Sequence, residues 1–154
     1  LMICMALLAS HAWAEDVDVV ASASRIYYQD SSLSLDELQD AMDNSLGACT
    51  VATVNDDGSP LLVSGSPGML KQTHIVFGWN NNVTLANIER DGQAMLCYYL
   101  FDPTAQTKTD RHRGARLRLS LETDASVVAD LYDSYPSLPF YATIMKIDEL
   151  LPLG

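Results

Sequence analysis

The chain has 154 residues, 48% hydrophobic and 19% charged, a composition that builds a globular core rather than a disordered tail. Twenty acidic side chains against nine basic ones leave a net charge of -11. This argues against general affinity for nucleic acid or anionic membrane, since both need a basic surface. No apolar run reaches the roughly 20 residues of a membrane span, and the three cysteines and three histidines lack the paired spacing of a zinc or iron–sulfur centre.

The first nine residues are nearly all apolar and lead into Ala12-Trp13-Ala14, then Glu15-Asp16. A short apolar stretch ending in Ala-x-Ala reads as a secretory signal over 1–14, with small residues where the peptidase pockets are small. On that reading the mature protein is exported, to a periplasm or the exterior, and keeps Cys49 and Cys97. Without it the protein is cytoplasmic. Spacing alone does not say whether the two thiols meet. Residues 15–32 show no period and read as a leader or linker, which makes 33–154 the folded domain.

Ser34-Leu35-Asp36-Glu37 is a capping box, and Leu35, Leu38 and Met42 recur at helical spacing, so a helix is predicted over 35–44, ending before Gly47. Residues 48–54 are small and β-branched. Asp57-Gly58 marks a tight hairpin, and 60–66 return as a second strand before Pro67-Gly68 breaks it. A third strand is expected over 74–79. After the polar turn Asn80-Asn81-Asn82, a short helix runs over 83–90 and stops at Asp91-Gly92. Residues 94–101 form a strongly apolar strand with no polar side, whose two faces should both be covered. After a polar loop over 104–112, Ala115, Leu117, Leu119 and Leu121 alternate with Arg116, Arg118 and Ser120 as a half-buried strand. Asp124 caps a helix over 125–134, and 141–148 form a last strand. Six antiparallel strands with short helices between them predict a mainly β fold, a closed or partly closed barrel.

The usual catalytic sets are missing: there is no P-loop, His-Glu-x-x-His or nucleophile elbow. Ser64-Gly65-Ser66-Pro67-Gly68 only superficially resembles the last, since no helix follows it. The turn from Asn80 to Thr84 offers free backbone N–H groups, amides and a hydroxyl at a helix start, which is either an anion-binding device or plain capping. Five of the nine basic residues, Lys108, Arg111, Arg113, Arg116 and Arg118, fall within 108–118. This local inversion of sign either binds a phosphate or acidic surface, or balances the surrounding acids.

Taken in order, these motifs resemble a family. Ala52-Thr53-Val54-Asn55-Asp56-Asp57-Gly58-Ser59-Pro60 is similar to the first hairpin of the pyridoxamine 5'-phosphate oxidase-like FMN-binding split barrels, and His74-Ile75-Val76-Phe77-Gly78-Trp79 to their third strand. Thr84-Leu85-Ala86-Asn87-Ile88-Glu89-Arg90-Asp91-Gly92-Gln93-Ala94-Met95-Leu96 resembles the helix and strand that follow, and Arg113-Gly114 the opening of the next long strand. The resemblance implies a six-stranded antiparallel split barrel that forms a homodimer, with FMN at the interface and a flavin-dependent oxidoreductase activity. It places the flavin ring near Ser64, Gly65, Ser66 and Trp79. The phosphate falls at Asn80, Asn81, Asn82 and Thr84, with Arg113 as charged partner. One position departs: Val83 stands where members often carry Lys or Arg, and the missing charged bond costs about 1.5–3 kcal/mol, roughly ten- to a hundredfold in affinity. Two other readings stand beside this one: a split-barrel protein for another ligand such as haem, with His74 or His112 as axial ligand, and a cofactor-free dimeric interaction module.

Overall fold

The computed structural model describes residues 30–153; the signal-like segment 1–14 and most of the expected leader lie outside them. Helix α1 (Leu35–Asp43) opens on the expected box: Ser34 accepts from the Glu37 N–H while the Glu37 carboxylate accepts from the Ser34 N–H at 2.9 Å. It closes on Ser45 in the left-handed region (φ 53), with the Leu46 N–H reaching back to the Ala41 carbonyl at 2.8 Å. Strands β1 (Ala48–Val54) and β2 (Pro60–Gly65) follow, then β3 (Gly68–Leu70), β4 (His74–Phe77), helix α2 (Val83–Asp91) and β5 (Gln93–Phe101). The chain continues with a short helix α3 (Lys108–Arg111), β6 (His112–Leu121), α4 (Ala125–Ser134) and β7 (Thr143–Leu151).

All seven strands form one antiparallel sheet in the order β2-β1-β5-β6-β7-β4-β3. The sheet curls into a half-barrel whose two edge strands are β2 and β3. The count is one strand higher than expected, because β3 lies in the stretch read as a break. Its hairpin to β4 passes through Lys71 and Gln72 at φ 51 and 58, a left-handed turn built without glycine. The segment read as a polar loop also contains α3, capped by the Thr107 hydroxyl, which accepts from the Asp110 N–H at 3.0 Å.

Strand alternation sorts the side chains. Val51, Leu96, Leu117, Leu119 and Ile75 point into the concave face, where Leu38, Ala41 and Met42 of α1 and Ile88 of α2 complete the core. Along β5 the inward Ala94, Leu96 and Tyr98 are buried, while the outward Met95, Cys97 and Tyr99 are half-buried. Leu131 of α4 packs with Leu70, Val76 and Ile144 on the opposite side of β3, β4 and β7, so β4 is buried on both faces. Gly114 is needed for a close approach: a Cβ there would collide with the Tyr98 carbonyl oxygen and Leu153. Residues 31–33 lie beside it, with the Gly114 N–H donating to the Ser31 carbonyl at 3.1 Å and the Leu33 N–H to the Gly114 carbonyl at 2.8 Å. The last residues of the expected leader are thus laid against β6.

Helix α2 is fixed to the first hairpin by Asn87, which is 3% exposed. Its amide donates to the Thr53 hydroxyl at 3.1 Å and to the Asn55 side-chain oxygen at 3.0 Å, and its own oxygen accepts from Arg90 at 3.2 Å. Removing the amide strands Thr53 and leaves a void, at about 2 kcal/mol. Asn87→Ala is therefore expected to lower the melting temperature by several degrees in a thermal scan followed by circular dichroism. A variant that melts with the parent would contradict this role.

Candidate functional site

Trp79 follows β4 and closes the split. Its indole stacks on Phe77, with ring centroids 4.0 Å apart and planes 10° from parallel. Such a pair is worth about 0.5–1.5 kcal/mol beyond the area it buries. The same indole faces Gly65 at the end of β2: a Cβ at Gly65 would stand 3.5 Å from Trp79 Cζ2. Two predicted residues from distant parts of the sequence therefore meet across the open side of the barrel. Ser64 and Ser66 flank Gly65 and are both exposed.

The polar turn comes next. Asn80, Asn81, Asn82 and Val83 are exposed, and Val83 is 61% accessible. Asn81 takes a left-handed conformation (φ 48), which asparagine tolerates better than most residues. It delivers the chain to Asn82, whose side-chain oxygen caps the Leu85 N–H at 2.8 Å and whose carbonyl accepts from Ala86 at 3.1 Å. That leaves the N–H groups of Val83 and Thr84 without a helical acceptor, at the positive end of the helix dipole. Capping and anion binding are thus compatible here. Thr84 is itself buried, at 4% exposure.

Arg113 is placed elsewhere. It lies on β6, three strands from β2 across the sheet, or about 14 Å at the usual strand spacing. Its guanidinium donates to Glu37 at 2.8 Å and borders a groove of about 790 Å³ walled by Gly47, Tyr99, Phe101 and Pro103, with Asp102 and Asp110 at the rim. The two carboxylates disfavour a phosphate there. Nor is the basic cluster one patch. Arg116 donates to the Pro152 carbonyl at 2.8 Å, and Arg118 pairs with Glu149 at 2.7 Å.

The other chemically active groups are engaged. His74 is buried with both ring nitrogens occupied, one by the Thr73 hydroxyl at 2.9 Å and one by Glu122 at 3.1 Å. That leaves no nitrogen for an axial bond to haem iron. The Asp124 N–H and then His74 hold the Glu122 carboxyl below the usual carboxylate range. His112 meets the Tyr99 hydroxyl through Nδ1 at 2.5 Å. The two thiols sit on neighbouring strands but opposite faces, since Cys49 opposes Tyr98 while Cys97 opposes Thr50, and both are free. Burial pushes Cys49 up to about 12 and Cys97 upward, so neither supplies a thiolate near neutrality. Among the described residues, no group of three or more His, Cys, Asp or Glu side chains is arranged to hold a metal ion, and no helix is long and apolar enough to cross a membrane.

Sequence reasoning missed Phe140 and Tyr141, whose rings meet edge to face at 5.1 Å on the turn before β7. It also missed the Glu37–Arg113 and His74–Glu122 pairs, which join residues far apart in sequence and have no local signature.

The Ser34 N–H and then the Arg113 guanidinium hold the Glu37 carboxyl at about 2, against 4.5 for the free group. A carboxyl depressed by folding stabilises the fold above its unfolded value. That contribution is lost as the pH falls from about 4.5 towards 2. Glu37→Gln should accordingly flatten the acid limb of stability over this window in denaturant titrations at stepped pH. An unchanged slope would place the acid sensitivity in other carboxylates.

No protein-family model matches the chain, and no curated protein does. Among solved structures the chain is similar to an FMN-binding protein from Syntrophomonas wolfei subsp. wolfei, at 16% identity over 92% of this chain and 95% of that one, with a TM-score of 0.52. It is also similar to HupZ of Group A Streptococcus, at 19% identity over 79% and 94% of the two chains, TM-score 0.53. A conserved hypothetical protein from Mycobacterium tuberculosis matches at 16% identity over 80% and 88%, TM-score 0.51. At these identities the likeness is one of fold: the split barrel expected from the order of motifs is the architecture of this chain.

Proposed function

We propose that the protein binds FMN at the split of its barrel and acts as a flavin-dependent oxidoreductase or electron carrier. The observation that carries this reading is the continuous stretch from Trp79 to Thr84. An aromatic seated against Gly65 leads directly into an exposed, left-handed asparagine turn and a helix start with two unclaimed N–H groups. A flavin mononucleotide needs that pair of features, an apolar surface for its ring and several donors for its phosphate. The FMN-binding protein of Syntrophomonas wolfei has this fold, which adds support.

Ser64, Gly65, Ser66 and Trp79 would border the ring. Asn80, Asn81, Asn82 and the N–H groups of Val83 and Thr84 would take the phosphate. Bound flavin supplies hydride or single-electron transfer, and the protein contributes binding, orientation and polarity. The engaged His74 and the protonated thiols suit a protein that leaves the redox step to a cofactor. Arg113 stands outside this reading, because Glu37 holds it in each copy of the chain and Asp102 and Asp110 border its groove. The reading also includes the homodimer. On the outer face of β1, β2 and β5, Leu62 is 65% exposed beside the half-buried Ala52, Met95 and Cys97, an apolar surface that a second copy would cover.

Two measurements test these points. Val83→Lys restores a charged phosphate contact and should tighten FMN binding about ten- to a hundredfold, read from quenching of flavin fluorescence. Unchanged affinity would move the phosphate elsewhere. Light scattering at micromolar concentration should give twice the chain mass, and a monomer there would remove the dimer from the reading.

A further inference from the structure

The groove of about 790 Å³ beside Arg113 lies at the end of the sheet where β1 begins and β5 finishes, and the candidate flavin site uses none of its residues. Its volume falls within the range of small-molecule sites, roughly 300–1,000 Å³. Two of its walls, Leu46 and Phe101, are 52% and 56% exposed, yet both are held in place. The Leu46 N–H donates to the Ala41 carbonyl at 2.8 Å, and the Leu46 carbonyl accepts from the Tyr98 hydroxyl. Phe101 packs its ring against His112, with centroids 5.2 Å apart, and the Tyr99 hydroxyl meets the same imidazole. The walls are thus ordered before anything binds, so a ligand does not bear the cost of ordering them.

The charges at the rim do not cancel. Arg113 is paired with Glu37 at 2.8 Å, and Arg111 turns its guanidinium to the Ala105 carbonyl at 3.1 Å. Asp102 and Asp110 are held differently. Asp102 Oδ1 accepts from the Thr104 N–H at 2.8 Å and the Thr104 hydroxyl at 2.6 Å, and Asp110 Oδ2 accepts from the Thr107 hydroxyl at 2.7 Å. Hydroxyl and amide donors orient a carboxylate without neutralising it. The Thr104 hydroxyl and N–H also hold the Asp102 carboxyl below the usual carboxylate range, so it stays ionised. The groove therefore sets two oriented carboxylates against apolar and aromatic walls.

We propose that this groove is a second binding site, for an organic cation with a flat apolar body, a quaternary or protonated aromatic amine. The body lies against Leu46, Phe101 and Pro103, and the positive centre faces Asp102 and Asp110. An aromatic face attracts a cation through its quadrupole, and the carboxylates add an attraction that a neutral ligand of the same shape cannot use. The net charge of -11 works in the same direction, drawing cations and repelling anions before contact. The site stands apart from the flavin reading. It also shares no residue with the outer face given above to a second copy, which holds Ala52, Leu62, Met95 and Cys97.

Thioflavin T, a benzothiazolium cation, and its neutral benzothiazole analogue, which lacks only the ring N-methyl group, are titrated by fluorescence into the full chain. The parent should bind the cation about three- to tenfold more tightly at low salt, and added salt should shrink the difference. The paired change Asp102→Asn and Asp110→Asn should remove that preference and keep the affinity for the neutral dye, which shows that the groove still folds. Phe101→Ala should weaken both dyes about three- to fivefold. Asp133→Asn, at an exposed acid on α4, should bind as the parent does. A parent that binds neither dye, or both alike, overturns the proposal. So does a preference that survives the paired change, or that Asp133→Asn lowers as much, since the cation then belongs to the acidic surface at large. Dye binding unchanged by Phe101→Ala places the dyes outside the groove, and a halved mass of that variant in light scattering gives the groove to a second copy; either result overturns the proposal.

Discussion

The two hydrogen bonds donated by the Asn87 amide hold this structure together at the point where its parts would otherwise slide. A helix lying on the end of a curled sheet has only dispersion and apolar burial to fix it, and neither is directional. Asn87 reaches Thr53 and Asn55 on the first hairpin, fixing the helix in both rotation and height. Arg90, one turn later, bonds back to Asn87 and pairs with Asp56 at the hairpin tip. The start of α2 is thereby set with respect to β1 and β2. The asparagine turn feeding that start inherits a defined position beside Trp79 and Gly65. Placement of the candidate site thus traces back to one buried amide.

Much of the fold was legible because its signals are local. The Ser34–Glu37 box, the Asp57-Gly58 turn (Gly58 at φ 81) and the alternation along 115–121 each involve a few neighbouring residues whose chemistry dictates the backbone. β3 was illegible for the complementary reason. Lys71 and Gln72 have ordinary side chains and adopt the left-handed region because the strands on either side force them to. The expected third strand ends two residues early, at Phe77, since Trp79 turns in to seal the split instead of extending the ladder.

The site divides along the same line. The asparagine turn is legible from its own residues, Gly65 and Trp79 enter through the family resemblance, and the fold sets Trp79 against Gly65 just ahead of that turn. Arg113 was chosen because it is positive in an acidic chain beside a glycine. Yet charge in sequence does not say which acid will claim it, and Glu37, 76 residues away, does. The space beside Gly114 is likewise taken by the chain itself, by the Tyr98 carbonyl and Leu153.

The placement of Cys49 and Cys97 on opposite faces of adjoining strands has a consequence for where the protein can work. Side chains on opposite faces of a sheet cannot be bridged without breaking the ladder between them. Among the described residues, the fold therefore offers no crosslink between these two thiols for an oxidising compartment to make or a reducing one to break. Pairing of Cys49 with Cys97 thus contributes nothing to the folding free energy, whatever the ambient thiol–disulfide potential.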